Sequence, residues 1–292
     1  MEVLVVGNTA YVDDDFCAKA FPGDHVKVVA AQEARRDESS PHASWKELLQ
    51  HLEQAYEFDR VVYLSNYLTP HTDTVGDIEL LRSVFRTCAG RRVQLLYVAG
   101  PAGAEGAADA AGRTGKGIIA HAANDLCRYY AAREGVQTKI LRVPFLYTAS
   151  AALEDPFLVP MLDACSTGSA ALQGAQDAAF PLLCAEELSV LVRRIFDSWD
   201  GNFETLDVAD TFHHTVGEVG DALKALFPGL SVAYGDSAGY ALPASDVARV
   251  RYGWFQRYDL LRDLSTIQAR WDAGRAKKVN PLRAAIDRIQ MR

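Results

Sequence analysis

Lys116 and His121 lie close together at the start of a helical pattern, and Thr114 is the only hydroxyl side chain in the loop before them. An ammonium beside an imidazole can move protons at a substrate hydroxyl when burial shifts their pKa values, so these three are the candidate catalytic residues. The plainer alternative is a surface lysine and a histidine on a helix face. A second pair, His213-His214, invites a metal-ligand interpretation, but adjacent side chains diverge and no Cys or carboxylate motif accompanies them, so a turn is expected.

The other chemically suggestive segment is Gly7-Asn8-Thr9-Ala10-Tyr11-Val12-Asp13. It follows the apolar run Val3–Val6 and precedes a helix-like stretch ending near Phe21, with Val26–Val29 as the returning strand. In such a βαβ unit the helix N-terminus offers unpaired N–H groups and a positive dipole end to a phosphate. Asp13, followed by Asp14 and Asp15, complicates this. A carboxylate there competes with phosphate, or it caps the helix and serves the N–H groups itself. Glu33, Arg35 and Arg36 lie within reach of a ribose or its phosphate, or are plain surface residues.

The elements that would position these residues follow from periodicity. Short β-branched runs at Glu2–Val6, Val26–Ala30, Arg60–Leu64, Val93–Val98 and Thr138–Val143 predict strands. Between them, Trp45–Tyr56 (N-cap Ser44), Ile78–Phe85 and Ile118–Ala132 carry helical spacing, the last ended by Gly135. Alternation of this kind predicts a doubly wound, Rossmann-like parallel sheet over residues 1–148. After Pro144 the pattern mixes strands Glu204–Val208 and Ser231–Tyr234 with helices Glu186–Trp199, Thr215–Phe227, Asp246–Tyr252 and Asp259–Trp271. This predicts a smaller mixed α/β lobe over 149–272, interleaved with the first domain. Residues 273–292 are expected as a basic amphipathic C-terminal tail in helical spacing, either a solvated end helix packed on the body or a surface for a partner or membrane. Ala31–Pro41 and Pro101–Gly117 are expected as loops, the second at the carboxyl edge of the sheet where such folds place ligands.

With 292 residues, 49% hydrophobic, the chain can bury a sizeable core. A net charge of −8 argues against nucleic-acid binding. The five cysteines have no metal-motif spacing and read as reduced, buried thiols. No apolar stretch is of membrane-spanning length, and the start lacks a basic leader, so cytoplasmic residence is the expectation.

Several segments, in order, resemble the extended short-chain dehydrogenase/reductase family of NAD-dependent nucleotide-sugar epimerases and dehydratases, over residues 1 to about 272. Phe58–Ser65 resembles the strand that ends over the cofactor; Lys139–Tyr147 resembles I-L-R-x-x-x-V-Y; Phe180–Leu188 resembles F-V-x-V-x-D-x-A. Asp246–Trp254 resembles the closing D-x-x-K-x-x-x-x-L-G-W. The resemblance implies NAD or NADP bound through Gly7, Thr9, Ala10, Tyr11, Val12, Ser65 and Asn66. Of its G-x-x-G-x-x-G spacing only Gly7 survives here. It also implies a Tyr and a Lys one helical turn apart, assisted by a hydroxyl at a strand end, the ammonium lowering the phenol pKa for proton exchange.

Those catalytic residues are missing. The strand Gln94–Val98 runs into Ala99-Gly100-Pro101-Ala102, and counting back from Arg142 places the Tyr position near Lys116 and the Lys position near Ala120 or His121. Tyr97 is expected to point into a helix layer, Arg142 to anchor the entry to the lobe, and Trp254, Phe255 and Tyr258 to pack in the core. Tyr147, Asn66 and Tyr67 line a pocket or simply pack. Three functions follow as expectations: a catalytically degenerate relative kept for a nucleotide, nucleotide-sugar or partner-protein role; an active enzyme with a non-standard acid/base residue; or a scaffold without cofactor. The resemblance further implies a homodimer through Ile78–Phe85 and Ile118–Tyr130.

Overall fold

The computed structural model describes residues 1–7, 11–30, 57–65, 74–100, 115–149, 157–172, 174–208, 211–236 and 247–290, with backbone alone at 30, 74, 75, 115–119 and 276–290. The predicted helix at 45–56 and loop at 31–41 lie outside the described residues.

Six parallel strands make the main sheet in the order β2-β1-β3-β4-β5-β9. They are β1 (Glu2–Gly7), β2 (His25–Ala30), β3 (Arg60–Leu64), β4 (Gln94–Ala99), β5 (Gln137–Arg142) and β9 (Phe203–Asp207). The apolar runs of the four inner strands have a direct cause, since both their faces are covered, whereas the edge strands β2 and β9 are partly exposed. Val3 and Val5 enter one core with Phe16 and Leu188, while Leu4 and Val6 enter the other with Leu81 and Phe85. The chain leaves β1 to one side for β2 and continues on the other side with β3. The crevice therefore opens at the carboxyl ends of β1 and β3.

Helices α1 (Asp14–Ala20), α2 (Thr74–Cys88) and α3 (Gly115–Arg133) flank this sheet. α2 and α3 pack together through Phe85 and Tyr130, whose rings stack at 4.6 Å. Gly135 ends α3 as expected: its φ of 70° is one that side-chain-bearing residues adopt at a cost.

The lobe contains two separate parallel pairs, β6 (Phe145–Tyr147) with β8 (Leu182–Cys184) and β7 (Ser169–Leu172) with β10 (Ser231–Tyr234). Around them stand α4 (Leu158–Ser166), α6 (Val216–Leu226) and α8 (Leu260–Gln290), with Leu158, Leu162, Leu264, Ile267 and Trp271 in a shared core. Between lobe and sheet run α5 (Ala185–Asp197) and α7 (Val247–Tyr252).

Three expectations change. The strand predicted over 204–208 is β9, which joins the main sheet beside β5; as an edge strand it is covered mainly at Leu206, so its apolar signal is weak. Charge sets its register, because Lys139 pairs across from Glu204 and Arg142 from Asp207, and both pairs are ionic. Residues 273–290 are helical as expected, but they continue α8 instead of forming a separate end helix. Gly115–Gly117, expected as loop, open α3.

Candidate functional site

At the crevice corner, Gly7 has φ 111°, and a Cβ there would meet the carbonyl oxygen of Leu64 at 2.1 Å. The close approach of β1 to β3 thus requires glycine, whatever lies in the crevice. Asp13 is the N-cap of α1, with Oδ1 accepting the Phe16 N–H at 2.7 Å. Of the two sequence alternatives for Asp13, this geometry is the capping one, a carboxylate on the N–H groups that a pyrophosphate would use. Asp14 and Asp15 add acid to the first turn, and Asp15 is paired with Lys19. Tyr11 is buried and Val12 half-buried, both against the core beneath α1. These described residues do not fit a phosphate cradle.

Across the crevice, Ser65 is buried and its N–H donates to the Val98 carbonyl at 3.0 Å, tying the end of β3 to β4. β4 then ends in the buried Ala99 and Gly100, without a hydroxyl. Thr9, Ala10, Asn66, Tyr67 and Thr114 lie outside the described residues. Lys116 belongs to the first turn of α3 and His121 is exposed one turn further on. Five residues apart on a helix, the two positions are separated by about 140° around the axis, so they do not share a face.

The sheet's tyrosines are committed elsewhere. Tyr97 is buried in a helix layer with its ring 5.7 Å from that of Tyr63, as expected. The Tyr63 hydroxyl donates to Oδ1 of buried Asp77 at 2.6 Å and to its carbonyl oxygen at 2.8 Å, which anchors the first turn of α2 to the sheet. Burial, and then the Asp77 carboxylate, push that phenol well above its ordinary pKa. Tyr147 sits fully buried in the lobe core, so of its two alternatives the structure realises packing. Arg142 grips Asp207 with two bonds, Nε to Oδ1 at 2.7 Å and Nη2 to Oδ2 at 2.9 Å, the anchoring role anticipated for it.

A tyrosine and a lysine do approach one another, but in a different place. Lys139 lies on β5, three residues and about 10 Å before its carboxyl end. Its ammonium, only 1% exposed, contacts Glu204 Oε2 at 2.6 Å and Asp200 Oδ1 at 2.9 Å. Arg251 bonds the same two acids, and Lys139 sits 5.3 Å from the centre of the Trp199 ring. Burial alone would lower the Lys139 pKa, but the bonds to Glu204 and Asp200 raise it overall. For Tyr252, burial outweighs the attraction of Lys139 and the phenol pKa rises. This pair is an ionic lock, opposite in effect to a primed phenol. No spacing rule pointed to it, because its members come from β5, β9, α7 and the turn before β9.

His213 has φ 54°, the turn conformation expected, and His214 Nε2 lies 2.7 Å from Asp259 Oδ1. Among the described residues no group of His, Cys, Asp and Glu could hold a metal ion. All five cysteines are free; four are buried and Cys17 is half-buried. No described helix is long and apolar enough to cross a membrane.

One packing expectation needs correction. Trp254 is buried, its indole N–H donating to the Glu187 carbonyl at 3.1 Å, but Phe255 and Tyr258 are 52% and 42% exposed. From Tyr252 to Arg257 buried and exposed residues alternate, so Phe255 faces out between Trp254 and Gln256.

No protein-family model and no curated protein sequence matches the chain. Solved structures do. The UDP-glucose 4-epimerase of Thermotoga maritima, solved with UDP-glucose, is 14% identical, with 94% of this chain and 100% of that chain covered and a TM-score of 0.70. The dTDP-glucose 4,6-dehydratase of Streptomyces venezuelae, solved with NAD, is 12% identical over 93% and 96% of the two chains, TM-score 0.69. The UDP-glucuronic acid 4-epimerase of Bacillus cereus in complex with NAD is 11% identical over 93% and 100%, TM-score 0.68. At these identities the likeness establishes the fold, an extended Rossmann-type architecture shared with nucleotide-sugar epimerases and dehydratases.

Proposed function

We propose that the chain is a catalytically degenerate protein of this fold, kept for binding a nucleotide or nucleotide sugar, or a partner, rather than for redox turnover. One observation carries the reading: the Asp13 carboxylate holds the α1 N–H position where a dinucleotide's pyrophosphate would sit. Without a cofactor seated there, hydride exchange has no donor. Supporting it, β4 runs into Ala99 and Gly100, and the Tyr63 phenol is pushed well above its ordinary pKa by burial and by Asp77. NAD and UDP-glucose, the molecules in the matching structures, define the ligands to try. The reading includes cytoplasmic residence and a homodimer through α2 and α3, checked by sedimentation.

The decisive test supplies UDP-glucose and dTDP-glucose with NAD(H) or NADP(H) and follows epimerised or dehydrated sugar by chromatography. No turnover is expected. Turnover that disappears in Lys116→Ala or His121→Ala overturns the reading in favour of an active enzyme with a non-standard acid/base residue. Asp13 also favours a second reading, a scaffold without any cofactor. Calorimetric titration distinguishes it, since micromolar binding of NAD(H) or NADP(H) removes the scaffold.

A further inference from the structure

α8 changes character along its length. Its first half is held in the lobe, where Leu260, Leu264, Ile267, Trp271 and Gly274 are buried, three or four residues apart and so on one face. Arg275 completes the anchorage: it donates to Ser166 Oγ at 3.0 Å, lies 3.7 Å from Asp163 of α4 and sits 4.6 Å over the Trp271 ring. The backbone then continues as helix to Gln290, about 22 Å further.

The face that packs in the lobe is not carried on by apolar residues. At about 100° per residue its next positions are Lys278, Pro281, Ala285 and Arg288. Val279, Leu282, Ile286 and Ile289 instead make a second stripe with the same spacing, its centre turned about 60° from the first. Lys278 and Arg283 fall to either side of that stripe, and Lys277 and Arg288 fall across the helix from it. Pro281 has no N–H for the Lys277 carbonyl, but both positions are on the side away from the stripe, where water serves that oxygen. A stripe set apart from the body-facing series has another surface to meet.

Charge decides which surface. Residues 273–292 hold six Lys and Arg and a single acid, Asp287, in a chain whose net charge is −8. In a coiled coil with a second copy the stripe would supply the a and d positions, with Lys278 at g and Arg283 at e. Cations would then face cations whether the two helices ran parallel or antiparallel. Protein interfaces are centred on pocket-filling anchors, aromatic above all, and residues 276–290 contain no aromatic side chain. Short aliphatic residues flanked on both sides by Lys and Arg need no shaped pocket. They suit the plane of an anionic bilayer, aliphatic groups among the acyl chains and cations at the headgroups.

We propose that residues 276–290 of α8 attach the protein to an anionic membrane surface, lying in its plane rather than crossing it. The negative charge of the body does not prevent this, because its repulsion is screened beyond about 8 Å at physiological salt. The test mixes the full chain with vesicles of phosphatidylcholine, alone or with one third phosphatidylserine, and reads the bound fraction by co-sedimentation. Two double variants are compared, Leu282→Ser with Ile286→Ser for the stripe and Lys278→Glu with Arg283→Glu for its flanks. All four positions lie beyond the part of α8 buried in the lobe, and a melting curve checks that each variant stays folded. Binding to the phosphatidylserine vesicles should exceed binding to phosphatidylcholine at least about tenfold and fall at least about tenfold in either double variant. No binding to phosphatidylserine vesicles, equal binding to both compositions, or affinity unchanged in either double variant overturns the proposal. So does self-association in sedimentation that the stripe variant abolishes, which would make the occupant a second copy.

Discussion

The start of α3 and the β5–β9 edge hold complementary halves of one catalytic requirement. At the start of α3, where the resemblance leads one to expect a tyrosine and a lysine, the residues are Lys116 and an exposed His121 at positions on diverging faces. At the β5–β9 edge the residue types are right, Lys139 with Tyr252, but they lie about 10 Å below the strand ends, and two carboxylates hold the ammonium. A phenol is primed by an ammonium whose charge is otherwise uncompensated. Here Glu204 and Asp200 compensate it, so proximity of the same two groups produces stability instead of proton transfer. The crevice corner repeats the lesson, because Asp13 makes α1 self-sufficient just as Thr215 and Glu218 do for α6 in a reciprocal capping box.

Substitutions at four positions test this contrast. Gly7→Ala should have the largest effect, destabilising by about 3 kcal/mol or more, since the added methyl meets the Leu64 carbonyl oxygen and the positive φ is strained as well. If the melting temperature hardly moves, strand packing is not what demands glycine there. Lys139→Met should cost about 2–3 kcal/mol in urea unfolding, below the usual cost of breaking a buried pair because Asp200 and Glu204 keep access to water. A neutral result would leave the lock without a structural role.

Asp13→Ala should cost about 1 kcal/mol by loss of the cap, whereas Asp13→Asn, which caps as well without the charge, should cost only a few tenths. If the carboxylate is what opposes phosphate, Asp13→Asn should also raise NAD affinity about fivefold in calorimetry, the equivalent of about 1 kcal/mol. Unchanged affinity would place the obstacle elsewhere. Thr215→Ala should cost about 0.5–1 kcal/mol in the same melts, with nucleotide binding untouched. A change in ligand affinity there would mean that the lobe cap and the crevice are coupled.

The sheet was legible because β1, β3, β4 and β5 are covered on both faces, which demands apolar runs at fixed intervals, and Gly135 marked the end of α3 through a backbone requirement of its own. β9 was misplaced because an edge strand buries one face and is held largely by ion pairs, which leave no periodic signature. Phe255 and Tyr258 were misjudged because an aromatic residue has the same hydrophobicity whichever way the chain turns it.

By itself the sequence determined the doubly wound fold, the absence of a Ser/Tyr/Lys arrangement between Gly100 and Arg128, and the presence of carboxylates at the head of α1. These are matters of local propensity, periodicity and residue type. Only the tertiary structure decided that Asp13 caps its helix and that Lys139 is neutralised by residues more than sixty positions away. Distance, burial and electrostatic pairing depend on which segments meet after folding, and linear spacing does not encode them.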